Sequence, residues 1–373
     1  MKKSFLIIAI FILASFSAYG QEDVKDMFAK SCNTKDTIEK RTLREEIAKN
    51  YPDSEYGLFC RAWLSVLKKD NNTAISLYTK GIQINPNIAD AYSLRGFAYI
   101  RSKDYTKAIS DFIKAIEINP NLAEAYNNRG FAYAELQDYT KAISDYTKAT
   151  SIDPNYAEAY IYRGLVYAFG LQDYSKAISD FTKGIEINPN IAEAYNLRGF
   201  AYIRSNEYNK SVSDFKKAID INPNLAEAYN NIGVAYNHLK EYTTAISNYD
   251  KAISINPNYA EAYCGRGLVY AEGLKDYSKG LSDYNKAIDI NPNYALAYYN
   301  RGNDYALGFK NYSKAILDYD KAISINPDYA EAYNNRGLVY AMSGNTINAC
   351  KDWRKAHSLG HPNAKNLLNE YCK

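Results

Sequence analysis

All ten prolines of this 373-residue chain fall on one register. Pro52, Pro86, Pro120, Pro154, Pro189, Pro223, Pro257, Pro292, Pro327 and Pro362 follow one another at 34 or 35 residues. A fixed period of this size marks supersecondary units stacked in one dimension, which frees the chain from building one large core. The unit is legible in Asn121 to Asp153, closed by Pro154. Tyr126, Gly130 and Tyr133 fall at i, i+4, i+7, and so do Ala142, Tyr146 and Ala149, so the spacing predicts two amphipathic helices. Pro154 cannot continue the second helix, and Leu136-Gln137-Asp138 makes a turn in which Asp138 can cap it. Asn121 with Glu124 three residues on has the spacing of a capping box for the first. One such hairpin cannot bury its apolar face alone, so it must stack on its neighbours.

Tyr126, Gly130, Tyr133, Ala142, Tyr146, Ala149 and Pro154 match, in order and spacing, the tetratricopeptide repeat signature. The chain resembles that family over eight links, residues 87–361, after a degenerate copy at 53–86 in which Leu58, Ala62 and Ser65 replace Tyr, Gly and Tyr. The resemblance implies an all-α fold: a right-handed superhelical solenoid of antiparallel helix hairpins, with a concave groove lined by the first helices. It also implies a protein-binding function. Four links carry 35 residues: in three of them Gly170, Gly273 and Gly308 place the extra residue in the turn between helices, and the last lengthens after its second helix, through His357 to Gly360.

The ends are different in kind. Residues 1–20 read as a secretory signal peptide: Lys2 and Lys3, an apolar run from Phe5 to Phe16, then Ala18-Tyr19-Gly20. The expected destination is the periplasm or the extracellular space. Residues 21–52 form an N-terminal helical cap, expected as two pieces broken near Asn33, and 362–373 a C-terminal capping helix. Five cysteines remain after the signal segment, and in an exported chain disulfides are the default. If the last two helices run antiparallel around Gly360, Cys350 and Cys372 stand at similar heights and pair. Cys32 with Cys60 is a weaker second pair, and Cys264 a lone thiol.

A net charge of +3 from 45 basic and 42 acidic residues gives no strong pull toward nucleic acid or an anionic surface. No glycine-rich phosphate loop or nucleophile elbow occurs, and the carboxylates recur once per link, so neither an enzyme nor a cofactor is expected. His357 and His361 are four apart, but Gly360 lies between them, which favours a polar loop over a metal site.

Two rows recur with the period. Arg95, Arg129, Arg163, Arg198, Arg266, Arg301 and Arg336 face Asp111, Asp145, Asp180, Asp214, Asp283, Asp318 and Asp352, and the link with Ile232 in place of Arg has Asn248 in place of Asp. This predicts an Arg–Asp pair within each link that sets the angle between its helices. Asp90, Glu124, Glu158, Glu193, Glu227, Glu261 and Glu331 form an acidic row, open to capping or to ligand binding. By resemblance, the groove is lined by Asn127, Phe131, Ile161, Leu165, Asn196, Phe200, Asn230, Val234, Leu268, Asn303, Asn334 and Leu338. Asparagine can bond a peptide backbone and the apolar residues can receive a partner's side chains, while the row of Phe131 and Phe200 can equally be packing between repeats. The expected partner is a peptide or helix of another protein. The alternative is a self-assembling structural protein, a homo-oligomer. RNA binding ranks behind both.

Overall fold

The computed structural model describes residues 24–32, 34 and 36–372; the expected signal segment lies outside them. Among the described residues every regular element is a helix. The chain divides into two compact units, Met1–Ile187 and Asn188–Lys373. In the first, a helix over residues 24–32 and the helix Thr37–Asn50 precede four hairpins: Glu55–Leu67 with Asn71–Ile84, Ala89–Arg101 with Tyr105–Ile118, Ala123–Glu135 with Tyr139–Ile152, and Ala157–Leu165 with Tyr174–Ile187. The second unit has five: Ala192–Arg204 with Tyr208–Ile221, Ala226–His238 with Tyr242–Ile255, Ala260–Leu268 with Tyr277–Ile290, Ala295–Leu307 with Tyr312–Ile325, and Ala330–Met342 with Thr346–Ser358. The helix Ala364–Tyr371 follows. The degenerate copy at 53–86 therefore folds as a full hairpin.

One aromatic ring per second helix fills each hairpin: Tyr78, Phe112, Tyr146, Phe181, Phe215, Tyr249, Tyr284, Tyr319 and Trp353 are all buried. Each such ring stabilises its unit by about 2–3 kcal/mol on area grounds. The signature glycine lets the helices close on that ring, since a Cβ at Gly199 would stand 2.7 Å from the ring of Phe215. The turn that follows needs a left-handed residue, and most copies supply a side-chain-bearing one, such as Gln137 at φ 62 and Lys240 at φ 61.

Asp138 caps the second helix as expected, its side chain accepting from the Lys141 amide at 3.2 Å. The capping box of the first helix does not form. Its N-cap is Leu122, with no side-chain bond, and Asn119 instead accepts from the Asn121 amide in an Asx turn before the helix starts. The extra residue of two long links is also not in the turn. Val166–Gly170 and Val269–Gly273 are π-helical, so the first helix absorbs the insertion by widening its last turn. Gly308 does lie just past its helix, as the C-cap of Ala295–Leu307.

Both ends are sealed. Val24, Phe28 and Ile47 are buried against the first hairpin, with Phe28 5.2 Å from the ring of Tyr56. At the other end Tyr371 lies 5.5 Å from Trp353, and a disulfide joins Cys350 to Cys372 across 5.7 Å between Cα atoms. Cys32 and Cys60 are not joined in the structure.

Candidate functional site

The framework of the site is the Arg–Asp row. In all seven links that carry both residues the guanidinium meets the carboxylate with two parallel bonds; in the third hairpin Arg129 Nε donates to Asp145 Oδ2 at 2.8 Å and its terminal nitrogen to Oδ1 at 2.7 Å. The Arg lies over the tyrosine three residues before it, as Arg129 does over Tyr126 at 5.4 Å. A further nitrogen reaches back to the preceding hairpin: Arg95 to Thr79, Arg163 to Thr147, Arg266 to Asp250, Arg301 to Asn285 and Arg336 to Asp320. One planar fork thus ties two helices of one repeat and one of the repeat before. In the link without it, Ile232 is buried and Asn248 turns back onto the Thr244 carbonyl.

Within each unit, first helices touch the first helices of adjacent hairpins and so build one face. The positions expected to line it separate into two rows. Asn127, Ile161, Asn196, Asn230 and Asn334 are buried, of which Asn230 still borders a cavity described below. The amides of Asn127, Asn230 and Asn334 each donate to the next asparagine, and their Oδ1 atoms have no bonding partner. Phe131, Leu165, Phe200, Val234, Leu268, Asn303 and Leu338, the residues just after the signature glycine, are half-exposed. Phe131 also packs on Tyr162 at 6.0 Å, so packing and exposure are shared on this row. Asn303 is committed to its surroundings, accepting from the Tyr319 hydroxyl at 2.8 Å and the Asn335 amide at 3.0 Å.

Hollows on this face bring some of these residues together. In the first unit Phe131 and Leu165 share a 220 Å³ hollow with Tyr139, Tyr162 and the exposed Phe169. In the second, Asn230, Val234, Leu268 and Asn303 line an 840 Å³ cavity that also holds Glu261, Glu272 and Asp304. Ile161, Asn127, Asn196, Phe200, Asn334 and Leu338 line neither.

A third cavity, 430 Å³, lies where the N-terminal cap meets the first hairpins, and the sequence reading did not single it out. Arg44 of the cap is buried there over Trp63 at 4.7 Å, with Ser31 and Cys32 as its hydrogen-bond acceptors. Asp90 and Glu124 of the acidic row share this cavity, and desolvation pushes both carboxyl groups above their usual range against the pull of Arg44.

Four repeat profiles match the chain: one described as TPR repeat at residues 98–137, 201–239 and 310–344, and three as Tetratricopeptide repeat at 77–110, at 123–156 and 226–259, and at 157–191 and 260–294. The chain belongs to the tetratricopeptide repeat family. Its fold is similar to a chain of the APC/C hetero-tetramer Cut9-Hcn1, at a TM-score of 0.55 and 18% identity over 81% of this chain and 59% of that one. It is also similar to a tetratricopeptide repeat protein from Parabacteroides merdae, at a TM-score of 0.52 and 21% identity over 67% and 98%. This chain therefore spans about three fifths of the length of the first of these relatives. No curated protein matches it.

The tetratricopeptide repeat is generally a scaffold for protein interaction. Burial pushes the Cys264 thiol up to about 12 although the Asn300 amide donates to it, and burial does the same to Cys60. Thiols so placed are poor nucleophiles. Among the described residues no three His, Cys, Asp or Glu side chains gather as metal ligands, and His361 accepts from the Asn363 amide. No described helix is long and apolar enough to cross a membrane.

Proposed function

We propose that this protein is an exported scaffold that binds an extended segment or a helix of a partner protein along its first-helix face. The observation that carries the reading is the distribution of cavities: those of 430, 220 and 840 Å³ open among first-helix residues, which supply half-exposed apolar side chains beside an acidic row. Second helices carry instead the solvated lysine row from Lys114 to Lys355. Clamped helices hold such a surface in shape before a partner arrives, which lowers the ordering cost of binding. Export rests on the signal-like segment at 1–20 and on the Cys350–Cys372 disulfide, a bond that persists in oxidising compartments. The test is cross-linked capture from the cell envelope with Leu165→Glu/Leu268→Glu, against Lys148→Glu/Lys183→Glu on the opposite row. The first is expected to lose partners at wild-type helicity, and the second to keep them. The reverse pattern would refute the assignment of the face.

A further inference from the structure

An array of repeats supplies its own control: a residue that departs from its seven counterparts needs a local reason. Three departures fall in one repeat and line one cavity. Where seven repeats carry Asp or Glu in the first turn of the first helix, this one carries Leu296. Asn303 stands where all the others are apolar, and Asp304 where all the others are Ala or Val. Asp304 is 3% exposed, and its Oδ2 has no hydrogen-bond partner.

The helix behind Asp304 has changed with it. Gly280 occupies a position that is Ala in seven of the other second helices and Ser211 in the eighth. A Cβ there would stand 2.6 Å from Asp304 Oδ2, so an alanine at this position would force the carboxyl group to shift. On the same second helix the Tyr284 hydroxyl is a second buried polar atom without a partner. The exchange of Ala for Asp and Ala for Gly costs folding twice, through an uncompensated buried acid and a helical glycine.

We propose that this cavity of the second unit binds a primary ammonium group, that of a lysine side chain on the partner segment, with Asp304 as its anchor. The proposal rests on the reading of the first-helix face as a polypeptide site and names the partner's chemistry there. An ammonium brings positive charge and three donors to a carboxylate whose Oδ2 has none. Glu272, on the preceding first helix, adds a second negative charge, and Tyr242 and Tyr277 line the cavity with rings that favour a cation. Lys240, Lys275 and His238 also line it, against Glu261, Glu272 and Asp304, so the pull on a cation rests on the unpartnered Asp304 and the nearby Glu272 rather than on the charge count. Leu296 in place of the usual acid leaves an apolar wall for the methylene stem. Burial, and then the charge of Glu272, push the Asp304 carboxyl up to about 7, and Tyr284 and Tyr319 feel its charge. A bound ammonium holds the carboxylate ionised.

The experiment is an amide chemical-shift titration of the full chain labelled with 15N-glycine, with N-acetyl-lysine methylamide and N-acetyl-norleucine methylamide as probes. The lysine probe is expected to shift Gly273 and Gly280, more tightly at pH 8 than at pH 6, while the norleucine probe does not. Asp304→Asn keeps the shape and loses the charge, and is expected to weaken binding at least tenfold. Gly280→Ala/Asp304→Ala restores the pattern of the other repeats and is expected to fold well without binding. No shift by the lysine probe, or equal affinity in Asp304→Asn, overturns the ammonium site and leaves the polypeptide reading standing. Tighter binding of free n-pentylamine than of capped lysine by tenfold overturns the polypeptide source. Unchanged capture of groove partners by Asp304→Asn overturns the claim that their lysine is what it holds.

Discussion

At the scale of single residues, the Arg–Asp fork and Asp304 are opposite cases of buried charge. Asp145 is buried with its charge met by two bonds from Arg129. Arg129→Leu strands it, and we expect a loss of about 3 kcal/mol in denaturant titration. Arg129→Ile/Asp145→Asn copies the natural Ile232 and Asn248 link and is expected to recover most of that loss. Equal destabilisation of the single and double variants would show that the fork contributes through packing alone. Asp304 has no such partner. Its carboxyl is raised from 3.8 to about 7, so the folded state prefers the proton. There is no cost below the unfolded value, a growing cost as pH climbs from about 4 to about 7, and the full cost above, on the order of 4 kcal/mol for a shift of this size. Asp304→Asn should therefore match wild type near pH 4 and exceed it in melting temperature at pH 8; a gap independent of pH would contradict this. The fork was legible in the sequence because eight copies let the absent Arg and the absent Asp coincide. The fate of the asparagines was not. Whether Asn127 or Phe131 reaches solvent depends on how closely the next first helix packs, and spacing along one helix does not contain that.

At the scale of elements, the period predicts helices and leaves their ends ambiguous. Asn121 and Glu124 have the spacing of a capping box, yet the Asn-Pro-Asn segment folds as an Asx turn and the helix begins after it. The long links show the same limit, since an inserted residue fits equally well in a turn or in a π-turn. Each inserted glycine packs on a tyrosine opening the preceding second helix, and a Cβ on Gly308 would overlap the ring of Tyr277. Gly308→Ala is expected to cost about 1–3 kcal/mol, read by thermal melting. A neutral result would mean that the ring swings aside freely. The terminal helix Ala364–Tyr371 buries little besides Ala364, so the disulfide is its main tether. Closing a loop with a sequence separation of 22 is worth about 3 kcal/mol in the chain-entropy account. Cys350→Ser/Cys372→Ser should expose Tyr371 to rapid C-terminal proteolysis, and protection equal to wild type would assign the docking to the Trp353 contact instead.

At the scale of the molecule, ten prolines and seven recurring positions were enough to place the chain in its family, because a solenoid repeats one local solution and each copy corroborates the rest. The departures are local: Leu296, Asn303, Asp304 and Gly280 break the pattern in one place, and the N-terminal cap adds Arg44 to a cavity that no repeat forms alone. The central claim is that the first-helix face is the working surface. Its most direct measurement is quantitative cross-linked capture from the native envelope with wild type, Leu165→Glu/Leu268→Glu and Lys148→Glu/Lys183→Glu, all matched for helicity and melting temperature. One set of partners is expected to fall at least tenfold with the first variant and to be unchanged with the second. Partners retained by the folded first-helix variant and lost with the lysine-row variant would contradict it and move the binding surface to the second helices.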